Sequence, residues 1–145
     1  MSVYIVGAKR TAIGGFGGKL ASISATELGA IASVAAIKSV GKPITVDSCI
    51  YGNVLQTSSG TKKRKITIDA AYLSRHVGLK AGLSIDTPAI TINRLCGSGF
   101  QSVISGAQEI LLNEAQVVLT GGTENMSQAP YALRNVRSGT RYGVE

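Results

Sequence analysis

The chain has 145 residues, enough for one domain with a real core or for part of a larger one. Its balance of 44% apolar and 16% charged residues excludes a disordered chain, and two cysteines exclude a disulfide scaffold. The net charge of +7 falls to +3 without Lys62, Lys63, Arg64 and Lys65, so the excess is local and is no general nucleic-acid footprint.

Ser2–Ala8 reads as a strand, with no secretory signal before it. Asp and Glu are absent until Glu27, which is compatible with an organellar address as well as with a basic first strand and loop. Thr11–Ser22 is a glycine-rich loop. It is not a phosphate-binding loop of the Walker type, because Ile13 stands where the first glycine belongs and Leu20 follows Lys19. Ser24-Ala25-Thr26-Glu27 forms a capping box that opens a helix. Leu28, Ile31, Ala32 and Ala35 are its expected buried face, and Gly41 and Pro43 end it.

Ser48–Leu55 is the next expected strand and holds Cys49. A short helix over Asp69–Val77 follows, capped by Asp69 and closed by Gly78. Thr87–Leu95 reads as a strand, Gly97–Asn113 as a helix and Gln116–Thr120 as a strand, with Gly121-Gly122 turning the chain. Strand and helix alternate, so the fold class is α/β. No apolar run reaches the length needed to span a bilayer.

The helix after Cys96 has one apolar face, made by Phe100, Val103, Ile104, Ala107 and Leu111, and carries no charge between Arg94 and Glu109. A surface helix carries charges on its outer face, so this one is expected to be interior and covered on more than one side. Gly97, Gly99 and Gly106 would let neighbouring backbones come close. A chain of this length hardly supplies the surrounding layers, which implies a partner or a further half.

Cys96 lies where an apolar strand hands over to that helix. Free N–H groups and the positive end of the dipole favour a thiolate at such a place, and the flanking glycines leave room for a substrate. Covalent acyl transfer fits this placement. So does a small buried hydrophobe, and the two readings stay open on position alone. The single histidine, His76, is read as a helix C-terminal residue rather than as a base for Cys96. Glu124 and Asn125 follow the Gly-Gly turn and could serve a site or brace that turn, bracing being the favoured reading. No His/Cys cluster has metal-site spacing.

The segment Ile92-Asn93-Arg94-Leu95-Cys96-Gly97-Ser98-Gly99-Phe100-Gln101-Ser102 resembles the active-cysteine segment of thiolases. Gly121-Gly122-Thr123-Glu124-Asn125-Met126-Ser127-Gln128-Ala129-Pro130-Tyr131 resembles a second signature of the family, and Gly52-Asn53-Val54-Leu55-Gln56 and Ala8-Lys9-Arg10-Thr11 fit it too. Asn93-Arg94-Leu95 and the segment from Tyr72 to Leu79 look most like the mitochondrial branch that acts on 3-ketoacyl-CoA, with the acetoacetyl-forming branch next.

The resemblance implies the N-terminal half of a layered αβαβα fold, with a mixed sheet and a buried helix after the nucleophile. It implies that residues 1–145 form a thiolase N-terminal domain, truncated before the C-terminal domain, with a basic insert at about residues 60–68. The implied activity is thiolytic cleavage of 3-ketoacyl-CoA to acetyl-CoA and a shortened acyl-CoA in fatty-acid β-oxidation, through an acyl thioester on Cys96. The alternatives are an acetoacetyl-CoA thiolase, or an incomplete fragment that only binds thiolase subunits. Acyl-CoA and coenzyme A are the implied small-molecule partners, coenzyme A being a co-substrate and no cofactor being permanently bound. A second copy or a complementing C-terminal half is the implied protein partner, with no nucleic acid, membrane or metal. Its residues for holding coenzyme A are not assigned. The implied location is the mitochondrion, with the cytoplasm as the alternative.

Overall fold

The computed structural model describes residues 2–57, 70–132, 134–136 and 139. The expected basic insert at 60–68 and the Asp69 cap lie outside the described residues. In chain order the elements are α1 (Ala25–Ser39), β1 (Ser48–Gly52), a 3-10 turn (Ala70–Tyr72) leading into α2 (Leu73–Lys80), β2 (Ala89–Ile92), α3 (Ser98–Leu111), β3 (Val118–Gly122) and a final 3-10 turn (Met126–Gln128).

The alternation of strand and helix gives the expected α/β architecture. The strands lie in the order β2-β1-β3, and both pairs are parallel. The mixed sheet implied by the resemblance needs an antiparallel strand, and none lies among the described residues. The connection from β1 to β2 steps one way across the sheet, and that from β2 to β3 steps back. Right-handed crossovers then put α2 and α3 on opposite faces. The packing agrees. Cys49 and Tyr51 point from β1 into a cluster with Ala25 of α1 and Leu73 and Val77 of α2, while Gly52 abuts Ser98 of α3 on the other side.

The local signals around α1 hold. Ser24 has extended dihedrals, and its hydroxyl accepts the Glu27 N–H at 3.1 Å. Gly41 takes φ 77 just past the helix end, a conformation that costs glycine little. The buried face is different from the expected one. Ala25, Thr26, Gly29, Ala30 and Ser33 are buried, and Ile31 and Ala35 are exposed. The Tyr51 ring is the physical reason. A methyl group on Gly29 would lie 3.2 Å from the ring and 3.0 Å from Val77. The Tyr51 hydroxyl sits 2.6 Å from the Ser33 hydroxyl and donates to the Gly29 carbonyl at 3.3 Å. Only small residues fit against an aromatic with a polar tip. Burial pushes the Tyr51 hydroxyl above its ordinary 10.0, and the Ser33 bond pulls the other way.

Leu28 and Ala32 instead face a cavity of about 900 Å³ that Ile5, Val103 and Leu119 also line. Across this cavity runs the segment of residues 2–8, which the sequence presents as a strand. It is not one: it joins no ladder, and Tyr4 and Ile5 are 78% exposed. An apolar, β-branched run becomes a strand only when an edge pairs with it, and residues 3–8 and β3 both line the cavity without pairing.

Other boundaries shift as well. β1 stops at Gly52, short of Leu55, and β2 is trimmed to Ala89–Ile92. Gly78 lies inside α2, and Gly82, at φ 88, follows its end. Gly121 and Gly122 belong to β3 and do not turn the chain, because the Tyr51 ring occupies the space where a Gly121 side chain would project.

The amino ends of β1 and β3 are pinned by Asp47. Its carboxylate accepts the Gln116 and Val117 N–H groups, each at 2.9 Å, and its own N–H donates to the Val117 carbonyl. The Val117 bond, then the Gln116 bond, holds this carboxyl below its ordinary 3.8. A depressed folded-state value stabilises the fold above the unfolded value and loses that effect as pH falls through the folded one. Wild type should therefore melt above Asp47→Asn at neutral pH, and the gap between the two melting curves should close as pH drops below 3.8.

Candidate active site

A parallel sheet brings all its carboxyl ends to one edge. Gly52, Ile92 and Gly122 end β1, β2 and β3 in register, and Asn53, Asn93 and Thr123 follow them. Open α/β sheets carry their sites outside this edge. Cys96 stands there, on the turn between β2 and α3, two residues before the first helical residue Ser98.

The turn is tightly specified. Leu95 has φ 50, in the left-handed region that costs a residue with a Cβ about 1–2 kcal/mol. Asn93 Oδ1 accepts the Leu95 N–H at 3.0 Å. Ser98 Oγ accepts the Arg94 N–H at 2.8 Å and donates to the Leu95 carbonyl at 2.6 Å. The Gly97 N–H donates to the Arg94 carbonyl at 3.1 Å, and the Gln101 N–H donates to the Gly97 carbonyl at 2.9 Å, which starts the helix. The Arg94 side chain reaches over the first turn to Gln101 Oε1 at 3.0 Å.

Two strand glycines seat this helix end. A methyl group on Gly52 would lie 2.5 Å from the Ser98 carbonyl carbon, and one on Gly122 would lie 3.2 Å from Gly99 Cα. The Ser102 hydroxyl is shared between the Gly121 carbonyl at 2.8 Å and the Gly99 carbonyl at 2.7 Å. Gly106 packs against Thr120 and Val118 and Gly99 is approached by Gly122, as expected of close approaches, whereas Gly97 meets only the Arg94 of its own turn. A methyl group on Gly99 would meet nothing within 4 Å.

The packing face of α3 is thus Ser98, Ser102 and Gly106, not the apolar face expected to be buried. Phe100 is 79% exposed and Val103, Ile104 and Leu111 are exposed with it. The sheet takes the small residues because strand and helix backbones come close. The large ones face away from it, on the side where a further layer would lie.

The two cysteines differ sharply. Cys49 is 1% exposed and packed in the core, and burial pushes its thiol up to about 12. Cys96 is exposed. The role of a small buried hydrophobe belongs to Cys49. His76 sits half-buried on α2, in the layer across the sheet from α3, so the structure does not bring it to Cys96.

Glu124 and Asn125 do brace, but they tie neighbouring loops together rather than a Gly-Gly turn. The Glu124 carboxylate accepts the Val54 and Leu55 N–H groups and the Asn53 amide, each at 2.9 Å, and so ties the loop after β1 to the loop after β3. Asn125 Nδ2 donates to the Ile23 carbonyl at 2.6 Å and to that of Ala21 at 3.1 Å. Asn53 adds its N–H to the Ile92 carbonyl at 3.1 Å, joining all three carboxyl ends. Asn93, Ser98 and Asn53 stand in the segments that resemble the family, but the sequence assigns none of them a role at this edge. Among the described residues no three His, Cys, Asp or Glu side chains gather closely enough to hold a metal ion, and no helix is long and apolar enough to cross a membrane.

A sheet layered by helices, with an exposed cysteine on the turn into α3 and a Gly-Gly-Thr-Glu-Asn brace beside it, is the arrangement of a thiolase N-terminal domain. The family described as "Thiolase, N-terminal domain" matches residues 3–145, and the chain belongs to it. Human mitochondrial 3-ketoacyl-CoA thiolase is 58% identical over 145 residues, which is 99% of this chain and 34% of that protein. An acetyl-CoA acetyltransferase from Cupriavidus necator is 44% identical over 97% of this chain and 34% of its own length. The crystal structure of the human mitochondrial thiolase in complex with CoA superimposes with a TM-score of 0.87 at 55% identity, over 98% of this chain and 34% of that one. The chain therefore spans about a third of the length of these relatives.

Proposed function

We propose that this chain is the nucleophile-bearing N-terminal domain of a thiolase that cleaves 3-ketoacyl-CoA in fatty-acid β-oxidation. The observation that carries the reading is the placement of Cys96, exposed on a braced turn at the carboxyl edge of the sheet. Its sulfur attacks the keto carbon. The bond between that carbon and the α-carbon breaks, acetyl-CoA leaves after its carbanion takes up a proton, and an acyl thioester remains on Cys96. Coenzyme A, as co-substrate, then removes the acyl group. Proton transfer and the rest of the substrate site fall to the C-terminal half, on the same chain or another. The exposed outer face of α3, with Phe100 and Leu111, is the surface that half or a second copy would cover.

The higher identity to 3-ketoacyl-CoA thiolases than to acetyl-CoA acetyltransferases favours a 3-ketoacyl substrate over acetoacetyl-CoA. The mammalian relatives named as mitochondrial support a mitochondrial location. Intact-mass spectrometry tests the reading. Exposure to a 3-ketoacyl-CoA should leave an acyl adduct that is absent from Cys96→Ser, and acetoacetyl-CoA run in parallel should label more slowly. No adduct either alone or with a C-terminal thiolase half supplied would overturn it, leaving a module that only binds thiolase subunits.

A further inference from the structure

Leucine has no intrinsic reason to adopt a left-handed conformation, so the φ of 50 at Leu95 is imposed by its surroundings. Two side chains outside the peptide contribute, beside the Ser98 N–H, which donates to the Leu95 carbonyl at 3.0 Å. On the strand side Asn93 Oδ1 holds the Leu95 N–H, and on the helix side Ser98 Oγ holds the Leu95 carbonyl. Ser98 is fixed in turn, being 4% exposed with its backbone against Gly52. The next residue along is Cys96. If either side chain is cut back, Leu95 can relax towards negative φ, and the direction in which Cys96 leaves the backbone swings with it.

We infer that Asn93 and Ser98 are positioning residues, a two-sided clamp on the Leu95 peptide that fixes where Cys96 presents its sulfur. The inference rests on the reading of Cys96 as the nucleophile, but its test needs no turnover. The full chain would be labelled with iodoacetamide, and each cysteine followed by peptide mass spectrometry. The buried Cys49 reports whether the variant stays folded.

Asn93→Ala should slow Cys96 labelling by about threefold or more, since small displacements at a reacting atom carry large rate effects. Cys49 should stay protected, and Asn93→Ser, which keeps a short acceptor without adding charge, should return the rate to near wild type. Ser98→Ala should act likewise and Ser98→Thr should restore it. Asn93 is exposed, so its variants decide the matter even if Ser98→Ala exposes Cys49. Wild-type labelling in Asn93→Ala, or no recovery in Asn93→Ser, overturns the clamp. The thiolase reading fails separately, through a missing acyl adduct on the wild-type protein, while the labelling series still judges the clamp.

Discussion

Replacing Gly52 by alanine should lower the melting temperature by several degrees, whereas the same replacement at Gly99 should leave it unchanged or raise it. The two glycines lie on opposite sides of one contact. The methyl group added at Gly52 falls 2.5 Å from the Ser98 carbonyl carbon and 2.7 Å from its oxygen. Those atoms are backbone at the start of α3 and cannot rotate aside, so strand and helix must separate. Overpacking of this kind costs about 1–3 kcal/mol, and about 2–4 °C of melting temperature per kcal/mol is usual for chains somewhat longer than this one. Gly99 lies inside the first turn of α3, and a methyl group there meets nothing within 4 Å. Alanine is the better helix former by up to about 1 kcal/mol. Equal losses from both substitutions would show that glycine at Gly52 matters for chain flexibility rather than for the seat of α3.

The distribution of these glycines also shows what a reader of the sequence can and cannot see. Local chemistry is legible. The Ser24 cap bonds residues only three positions apart in sequence, and the Cys96 turn has its strand, glycines and helix in one run. The direction in which a helix faces is not local. In α3 the periodicity finds a genuine apolar stripe, yet the sheet binds Ser98, Ser102 and Gly106, because β1 and β3 offer glycines there and allow close approach. In α1 the stripe is displaced by one tyrosine from a distant strand. Residues 2–8 have the pattern of a strand and lack only an edge to pair with. The left-handed Leu95 has no sequence signature at all, since its conformation is held by Asn93 and Ser98 through bonds that a sequence does not display.

Under native conditions iodoacetamide should label Cys96 at least about a hundredfold faster than Cys49, because a core thiol reacts only when the protein opens. Cys49 lies between Leu73 and Val77 of α2 and the neighbouring strands, and its thiol is held up to about 12 by burial. Raising the pH into the mildly alkaline range therefore accelerates its labelling little while the fold persists. The same shift sets a limit on the fold. A thiol whose folded value is raised above an ordinary 9.0 contributes stability in full below that value and loses it as pH rises towards about 12. Slow labelling of Cys49 should thus speed up through unfolding in that window, and Cys96→Ser should abolish the fast phase at neutral pH, where the fold persists. A fast phase that survives in Cys96→Ser would assign it to Cys49, and the exposed turn after β2 would then not be the reactive centre of this chain.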